Sequence, residues 1–259
     1  MPLTRPLIFA VLVLGVAWIA RTVEDAVGLP ADQPLGQLVW ILAPAILGLV
    51  FLKSDPLLRG ERAYRLDGGV ARGMALAALG AVAAVATVTA LGLASGGLRP
   101  TAAAIAPAAV LALAAPALIT STLEEMGWRG YLAPALLART GYWRAVGLAA
   151  LVWFAWHLPF LDRLTGYTGE PLTSLIPRLA LGVLALQILF TEVWLATRSV
   201  WVATALHGSF NVAAGGVFGA GVTLAPFGWL VSPSADGVVL MALAVAAGLW
   251  LRRRRLARG

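Results

Sequence analysis

The segment between Arg72 and Arg99 places the strongest constraint on the fold, because its 26 residues carry no charged side chain. A helix of roughly 20 apolar residues is enough to cross the hydrocarbon core of a bilayer. The chain of 259 residues is 60% hydrophobic and 12% charged, whereas soluble globular domains have roughly 45–50% and 25%. It contains no cysteine, which excludes disulfides and cysteine-ligated metals. The composition therefore predicts an integral membrane protein.

Eight apolar tracts along the chain predict membrane-spanning helices. They cover residues 6–20, 35–52, 73–94, 104–123, 145–160, 179–196, 199–217 and 237–251. Neither an internal repeat nor a low-complexity linker divides the chain. We therefore expect an all-α, polytopic bundle of about eight transmembrane helices that forms a single membrane-embedded domain over residues 1–259.

The basic residues are distributed unevenly between the two sets of loops. With Arg129 set aside, 14 lysines and arginines fall on the side that contains both termini, and 4 fall on the other side. The sequence thus predicts a multi-pass protein of the cell membrane, and the positive-inside rule places both of its termini in the cytoplasm. The run Arg252–Arg255 follows the last span, where a basic cluster usually contacts an anionic leaflet. The net charge of +7 is thus explained by basic residues that orient the protein in the membrane, and we expect no nucleic-acid partner.

Polar side chains within or next to the apolar tracts are informative, because a charge at mid-bilayer costs roughly 2.5 to 3.5 kcal/mol. These residues are Glu124, Glu125, Arg129, His157, Gln187, Glu192, His207 and Asn211. Both histidines of the chain are among them. We expect Gln187 to be a polar contact between helices and Glu192 to lie at the membrane boundary. The other six are candidates for a shared site.

Helical spacing sorts these candidates into faces. Glu125 and Arg129 are four residues apart with the acid first, so they share a face and can form an ion pair. Glu124 points about 100° away from Glu125 and lacks that partner, which leaves its carboxylate available for chemistry.

Two further pairs have the same spacing of one helical turn. His207 and Asn211 present an imidazole and an amide to the same point, and Trp153 precedes His157 and can cover it. The sequence therefore predicts two further helix faces with polar groups that can contribute to a site, besides the face that carries Glu124.

The depth of these groups in the membrane decides whether they can meet. At about 1.5 Å per residue, the two histidines and the amide lie roughly 14 to 20 Å from the cytoplasmic ends of their helices. Glu124 joins this layer only if the fourth helix continues through Gly127 to about Arg139. We therefore predict a long, kinked fourth helix, with Pro116 and Pro134 as the bending points.

Three short motifs resemble, in order, those of the CAAX protease and bacteriocin-processing family of intramembrane proteases, which includes the type II CAAX prenyl endopeptidases. The motifs are Glu124-Glu125-Met-Gly-Trp-Arg129-Gly130, Trp153-x-x-x-His157-Leu-Pro and His207-x-x-x-Asn211. The resemblance covers roughly residues 110–215, the motif-bearing core. One departure is that Trp153 stands where the family usually has phenylalanine.

The resemblance implies that Glu124, assisted by His157, is the general base that activates water for attack on a peptide carbonyl. It also implies that His207 and Asn211 form the oxyanion hole. Glu125 and Arg129 are implied to position the base.

A metal-dependent version of the same site stays open. Glu124, His157 and His207, with Asn211 nearby, are residue types that bind Zn²⁺ and activate its water. The chain has no His-Glu-x-x-His helix, and the gaps between these residues are not diagnostic of a metal site. We favour the glutamate mechanism without a cofactor.

Three functions compete at this point. The first is an intramembrane endopeptidase that hydrolyses an apolar or lipidated peptide at the membrane. The second is a transporter in which the buried acids and histidines relay protons. The third is a non-enzymatic scaffold or bacteriocin-immunity protein. The sequence fixes neither the substrate nor the oligomeric state, and membrane lipid is the one partner that the composition itself predicts.

Overall fold

A computed structural model describes residues 2–28, 35–60, 63–64, 66–100, 107–162, 170–219 and 221–258. Within these ranges, each of the eight apolar tracts falls on a helix. The beginning of the fourth tract, residues 104–106, lies outside the described residues, as does Arg163, one of the four basic residues counted on the side opposite the termini.

The helices follow one another along almost the whole described chain. They are α1 (Thr4–Val27), α2 (Leu35–Ser54), α3 (Gly68–Ser95), α4 (Pro107–Gly127), α5 (Ala133–Leu137), α6 (Tyr142–His157), α7 (Leu172–Thr197), α8 (Val200–Gly219) and α9 (Val238–Leu256). By length and hydropathy, α1, α2, α3 and α7 qualify as membrane spans among the described helices. The architecture is that of a helical membrane protein, as the sequence predicts; the number of crossings stays a prediction.

One short ribbon accompanies the helices. Strand β1 (Leu98–Pro100) pairs antiparallel with β2 (Val222–Leu224), with Leu98 opposite Leu224. Gly96 caps α3 in the left-handed conformation at φ 73°, which turns the chain into β1. The sequence analysis did not predict this ribbon, because three-residue strands are too short to show a hydrophobic alternation.

The fourth helix continues past the predicted end of its apolar tract. After α4, a π-helical turn over Trp128–Leu132 leads directly into α5, so the backbone stays helical from Pro107 to Leu137. A π turn widens the helix locally and is frequent at functional sites. The predicted long fourth segment is therefore present, whereas its predicted kink stays a prediction.

The core beside this segment is rich in aromatic rings. Trp40 of α2 stacks on Trp156 of α6 with ring centroids 4.1 Å apart, and its indole N–H donates to the Trp156 carbonyl at 2.8 Å. Trp128 packs edge-on against both Trp156 and Phe9. These contacts fix the π turn between α1, α2 and α6.

A salt bridge closes the end of the fold where α2 and α5 finish. Arg139 donates to both carboxylate oxygens of Asp55 at 2.7 Å, and the Leu57 amide donates to Asp55 as well. Burial alone raises the pKa of Asp55, but the hydrogen bonds from Arg139 and Leu57 outweigh it, so the pKa lies below its ordinary value. Asp55 is therefore ionised at neutral pH and ties the two helix ends together.

Two glycines allow α2 and α4 to approach closely. A Cβ atom on Gly48 would lie 2.6 Å from the Met126 carbonyl oxygen, and one on Gly127 would lie 2.6 Å from the Pro44 Cβ. Small residues at such crossings let helix backbones pack directly in membranes. This packing holds the helix end that carries the first motif.

Gly48→Ala and Gly127→Ala are each expected to lower the stability of the protein in detergent by about 1–3 kcal/mol, because the added methyl group overlaps backbone atoms. Gly147→Ala is the matched control, since nothing lies within 4 Å of its added Cβ on α6. That change should stabilise the helix by about 0.5–1 kcal/mol. Thermal melts of the three variants give the comparison, and equal shifts for all three would contradict the close packing.

Candidate active site

Each of the three motifs contributes at least one residue to a cavity of about 640 Å³. α4 contributes Glu124, α6 contributes Trp153 and His157, and α8 contributes His207 and Asn211. The rest of the lining is mainly apolar and includes Leu175, Leu179, Val183, Leu186, Phe190 and Phe210. These side chains therefore line the same cavity, while their common depth in the membrane stays a prediction.

Glu124 is buried, with 7% of its surface exposed. Its Oε2 accepts hydrogen bonds from two indole N–H groups, that of Trp153 at 3.0 Å and that of Trp128 at 3.4 Å. Within the described part of the chain, no basic side chain forms a salt bridge with Glu124, and no hydrogen bond reaches Oε1. The Glu124 carboxylate is therefore held through Oε2, while Oε1 accepts no hydrogen bond from the described residues.

His157 is oriented by the backbone of its own helix. Its Nδ1 lies 2.8 Å from the Trp153 carbonyl oxygen. Because a carbonyl oxygen only accepts, Nδ1 carries a proton and the neutral ring has its lone pair on Nε2. The sequence predicted that Trp153 covers His157, and the two rings do lie 6.1 Å apart. Trp153 also has a second contact that spacing did not predict, since its indole holds Glu124.

Glu125 and Arg129 form the predicted ion pair. Arg129 Nη1 donates to Glu125 Oε1 at 2.8 Å, and both side chains are fully buried. The same Glu125 oxygen lies 2.9 Å from His207 Nδ1. The pair therefore contacts His207 directly and not Glu124, although the family resemblance implied that Glu125 and Arg129 position Glu124.

Arg129 is enclosed on its remaining sides by α6 and α7. Its Nη2 donates to Gln187 Oε1 at 2.9 Å, and its guanidinium lies over the rings of Trp153 and Phe190 at 4.6 and 4.1 Å. The role of Gln187 as a polar contact between helices agrees with the expectation. Phe190 was not singled out in the sequence, because an aromatic residue within an apolar span carries no distinguishing signal.

Asn211 faces the cavity and contacts α4. Its Nδ2 donates to the hydroxyl of Ser121 at 3.2 Å, and Ser121 is fully buried. A serine in a span usually bonds its own helix backbone, so the residue type alone did not mark Ser121. Its position three residues before Glu124 is the one available signal, because it places Ser121 near the helix face of that carboxylate.

The opposite end of the cavity also has polar residues. Ser234 and Asp236, which precede α9, line it there, and the Asp236 carboxylate lies 3.5 Å from Arg178 of α7. Glu192, by contrast, lies away from the cavity and binds Arg255 of α9 through two hydrogen bonds.

Glu124, His157 and His207 are the candidate ligands for a metal ion at this cavity. Among the described residues, no group of three or more histidine, aspartate or glutamate side chains is arranged to hold a metal ion. Glu124, His157 and His207 share the cavity without forming such a ligand set.

Comparisons with known proteins give a family model and a relative that this chain resembles. Residues 105–213 match the family model described as Type II CAAX prenyl endopeptidase Rce1-like. The chain is 30% identical over 99 residues to CAAX prenyl protease 2 of Methanococcus maripaludis. That alignment covers 37% of the chain, and the chain spans about a third of the relative's length, 36%.

The matched segment contains the residues of all three motifs, from Glu124 to Asn211. The resemblance drawn from those motifs is therefore confirmed: residues 105–213 carry the sequence pattern of the type II CAAX prenyl endopeptidases.

Proposed function

We propose that the protein is an intramembrane endopeptidase in which Glu124 activates a water molecule for attack on a peptide bond. The observation that carries this proposal is the single cavity lined by Glu124, His157, His207 and Asn211. A carboxylate that is not ion-paired, an imidazole with an available Nε2 and an amide donor are the groups that hydrolysis of an amide requires.

The first step is a proton transfer. Oε1 of Glu124, which meets no donor among the described residues, takes a proton from water as the water oxygen bonds to the carbonyl carbon. His157 Nε2 assists by accepting a hydrogen bond from the same water. When the carbon–nitrogen bond breaks, the proton held by Glu124 passes to the leaving amine, so that the carboxylate is restored.

The carbonyl oxygen becomes negatively charged in the tetrahedral intermediate and needs donors. Asn211 has two N–H groups, of which one donates to Ser121, so the other is available for this oxygen. His207 donates from Nε2 when both of its ring nitrogens carry protons, and Glu125 is the counter-ion for that charged ring. The buried network of Glu125 and Arg129 thus positions an oxyanion donor.

The apolar lining indicates the class of substrate. The cavity lies among leucine, valine and phenylalanine side chains of α7 and α8, which suit an apolar or lipidated peptide that arrives from the membrane. The relative from Methanococcus maripaludis is named CAAX prenyl protease 2, so a prenylated peptide with a CAAX terminus is the first probe to use. We propose a multi-pass protein of the cell membrane with both termini in the cytoplasm, surrounded by lipid and without a nucleic-acid partner.

Asn211→Ala tests the proposed chemistry. Loss of one oxyanion donor is expected to lower kcat by roughly 10²- to 10³-fold with little change in KM, because the amide acts mainly on the charge that develops in the transition state. The measurement is cleavage of a quenched fluorescent prenylated peptide by protein reconstituted in liposomes.

The control for this variant is Thr89→Val, which alters a polar side chain on α3 whose hydroxyl bonds the Val85 carbonyl. Its kcat should stay at the level of the unmodified protein. Proton flux in the liposomes without any cleavage would favour the transporter instead, and binding of a peptide without hydrolysis would favour the scaffold.

A further inference from the structure

A second cavity, of about 550 Å³, lies at the end of the fold where α5, α7 and α9 finish and α6 begins. We call it the arginine cavity. Its lining consists of Leu57, Leu58, Pro134, Leu137, Ala138, Tyr142, Trp194, Leu195, Arg198, Arg252, Arg255 and Leu256. None of these residues belongs to the candidate active site, so the arginine cavity is a separate feature of the fold.

Positive charge dominates the arginine cavity. Arg198, Arg252 and Arg255 line it, and the nearby carboxylate of Glu192 binds Arg255 at 2.9 Å and lies 3.7 Å from Arg252. Among the described residues, the guanidinium groups of Arg252 and Arg255 thus share the carboxylate of Glu192, which leaves an excess of positive charge at this pair. Arginine groups held in this way match the oxygens of a phosphate group.

Aromatic side chains fix the guanidinium groups and supply a further donor. Arg252 lies over the Tyr142 ring at 3.8 Å, and Arg198 lies over the Trp194 ring at 4.5 Å. The Trp194 indole N–H is buried and has no hydrogen-bond partner in the described part of the chain. A buried donor without an acceptor costs roughly 1–3 kcal/mol, and an acceptor that reached this N–H would remove that cost.

The rim of the arginine cavity is apolar and exposed. Leu57 and Leu256 have 42% and 59% of their surface exposed. Two exposed indoles, those of Trp143 and Trp250, stand at the same end of α6 and α9. Exposed tryptophans next to a basic cluster are typical of the depth at which lipid head groups lie.

We propose that the arginine cavity binds the phosphate group of an anionic phospholipid, with the acyl chains along Leu57 and Leu256. The excess of positive charge selects a head group with a net negative charge, and the leucine rim selects a lipid over free phosphate. Basic cavities between helix ends on the cytoplasmic side of a membrane are suited to such head groups. This assignment is independent of the proposed proteolysis, because the two cavities share no residue.

The test measures lipid retained by the purified protein. In native mass spectrometry from detergent, phosphatidylglycerol should remain bound at a higher occupancy than phosphatidylcholine. Arg252→Gln and Arg198→Asn should each weaken that binding about fivefold, the effect of one basic residue near an anionic lipid. Asparagine is chosen at position 198 because Arg198 has a left-handed backbone at φ 50°, which asparagine tolerates well. Arg255 stays in place, so Glu192 keeps its partner.

Arg253→Gln is the matched control, because it removes the same charge from the same helix but does not line the arginine cavity. Its lipid occupancy should equal that of the unmodified protein. An equal loss in Arg253→Gln and Arg252→Gln would overturn the proposal in favour of a general surface attraction. A thermal shift with inorganic phosphate but none with phosphatidylglycerol would overturn the assignment to a lipid. Arg252→Lys, which keeps the charge, checks that reduced binding does not arise from misfolding.

Discussion

Glu124→Gln is expected to lower the rate of peptide hydrolysis by roughly 10²- to 10⁴-fold, the usual contribution of a general base. Glutamine has nearly the same shape and keeps an oxygen that accepts the hydrogen bonds from Trp153 and Trp128, but it cannot take a proton from water. The measurement is the cleavage rate of the quenched peptide in liposomes. The melting temperature in detergent should change little, which separates chemistry from folding.

The carboxylate control for this variant is Asp25→Asn on α1, whose side chain is exposed and lies outside the cavity. Its cleavage rate should match that of the unmodified protein. Because Glu124→Gln binds without cleaving, it also serves as a trap, and mass spectrometry of the captured peptide identifies the substrate. Full activity in Glu124→Gln would refute the assignment of Glu124 as the base.

Arg129→Met is expected to have the largest effect on stability. Removing one member of a fully buried ion pair typically costs about 3–5 kcal/mol, because the remaining charge is left without a partner. Here Glu125 would lose its fully buried arginine partner and keep only its contact with His207, and Gln187 would lose its donor. Unfolding by titration with a denaturing detergent measures the loss.

Arg21→Met is the matched control, since Arg21 also pairs with an acid four residues away, Asp25, and with Asp162, but both carboxylates are half exposed. It should cost only about 0–1 kcal/mol. The double variant Glu125→Gln/Arg129→Met should recover part of the stability lost in Arg129→Met, because no unpaired charge remains. A double variant less stable than Arg129→Met alone would contradict this account of the network.

The sequence predicted the elements that composition and period determine. Where the structure describes them, the eight apolar tracts fall on helices, and the depth argument required that the fourth helix continue beyond Gly127, as it does. Four-residue spacing was sufficient to pair Glu125 with Arg129. These features depend on local geometry along one helix, which a single sequence contains.

Contacts between helices were less accessible to sequence reasoning. The bond between His207 and Glu125 joins residues 82 positions apart, and their orientation depends on how α8 rotates against α4. The π turn adds a residue to one helical turn without a sequence signal of its own. Trp153 was assigned to His157 because they share a helix, whereas its indole contact with Glu124 depends on how α6 packs against the fourth helix.

The two bonds of Trp153 have a consequence for how the site responds to thermal motion. Trp153 binds the Glu124 carboxylate through its indole N–H and the His157 ring through its backbone carbonyl. We therefore expect a small displacement of α6 to move both side chains in the same direction. A phenylalanine at this position would keep the hydrogen bond between the backbone carbonyl and His157 but lose the one from the indole to Glu124. Glu124 would then keep only the longer hydrogen bond from Trp128. In this chain the Glu124 carboxylate and the His157 ring are therefore both bound to Trp153, and we expect this shared partner to limit changes in their spacing when α6 moves against α4.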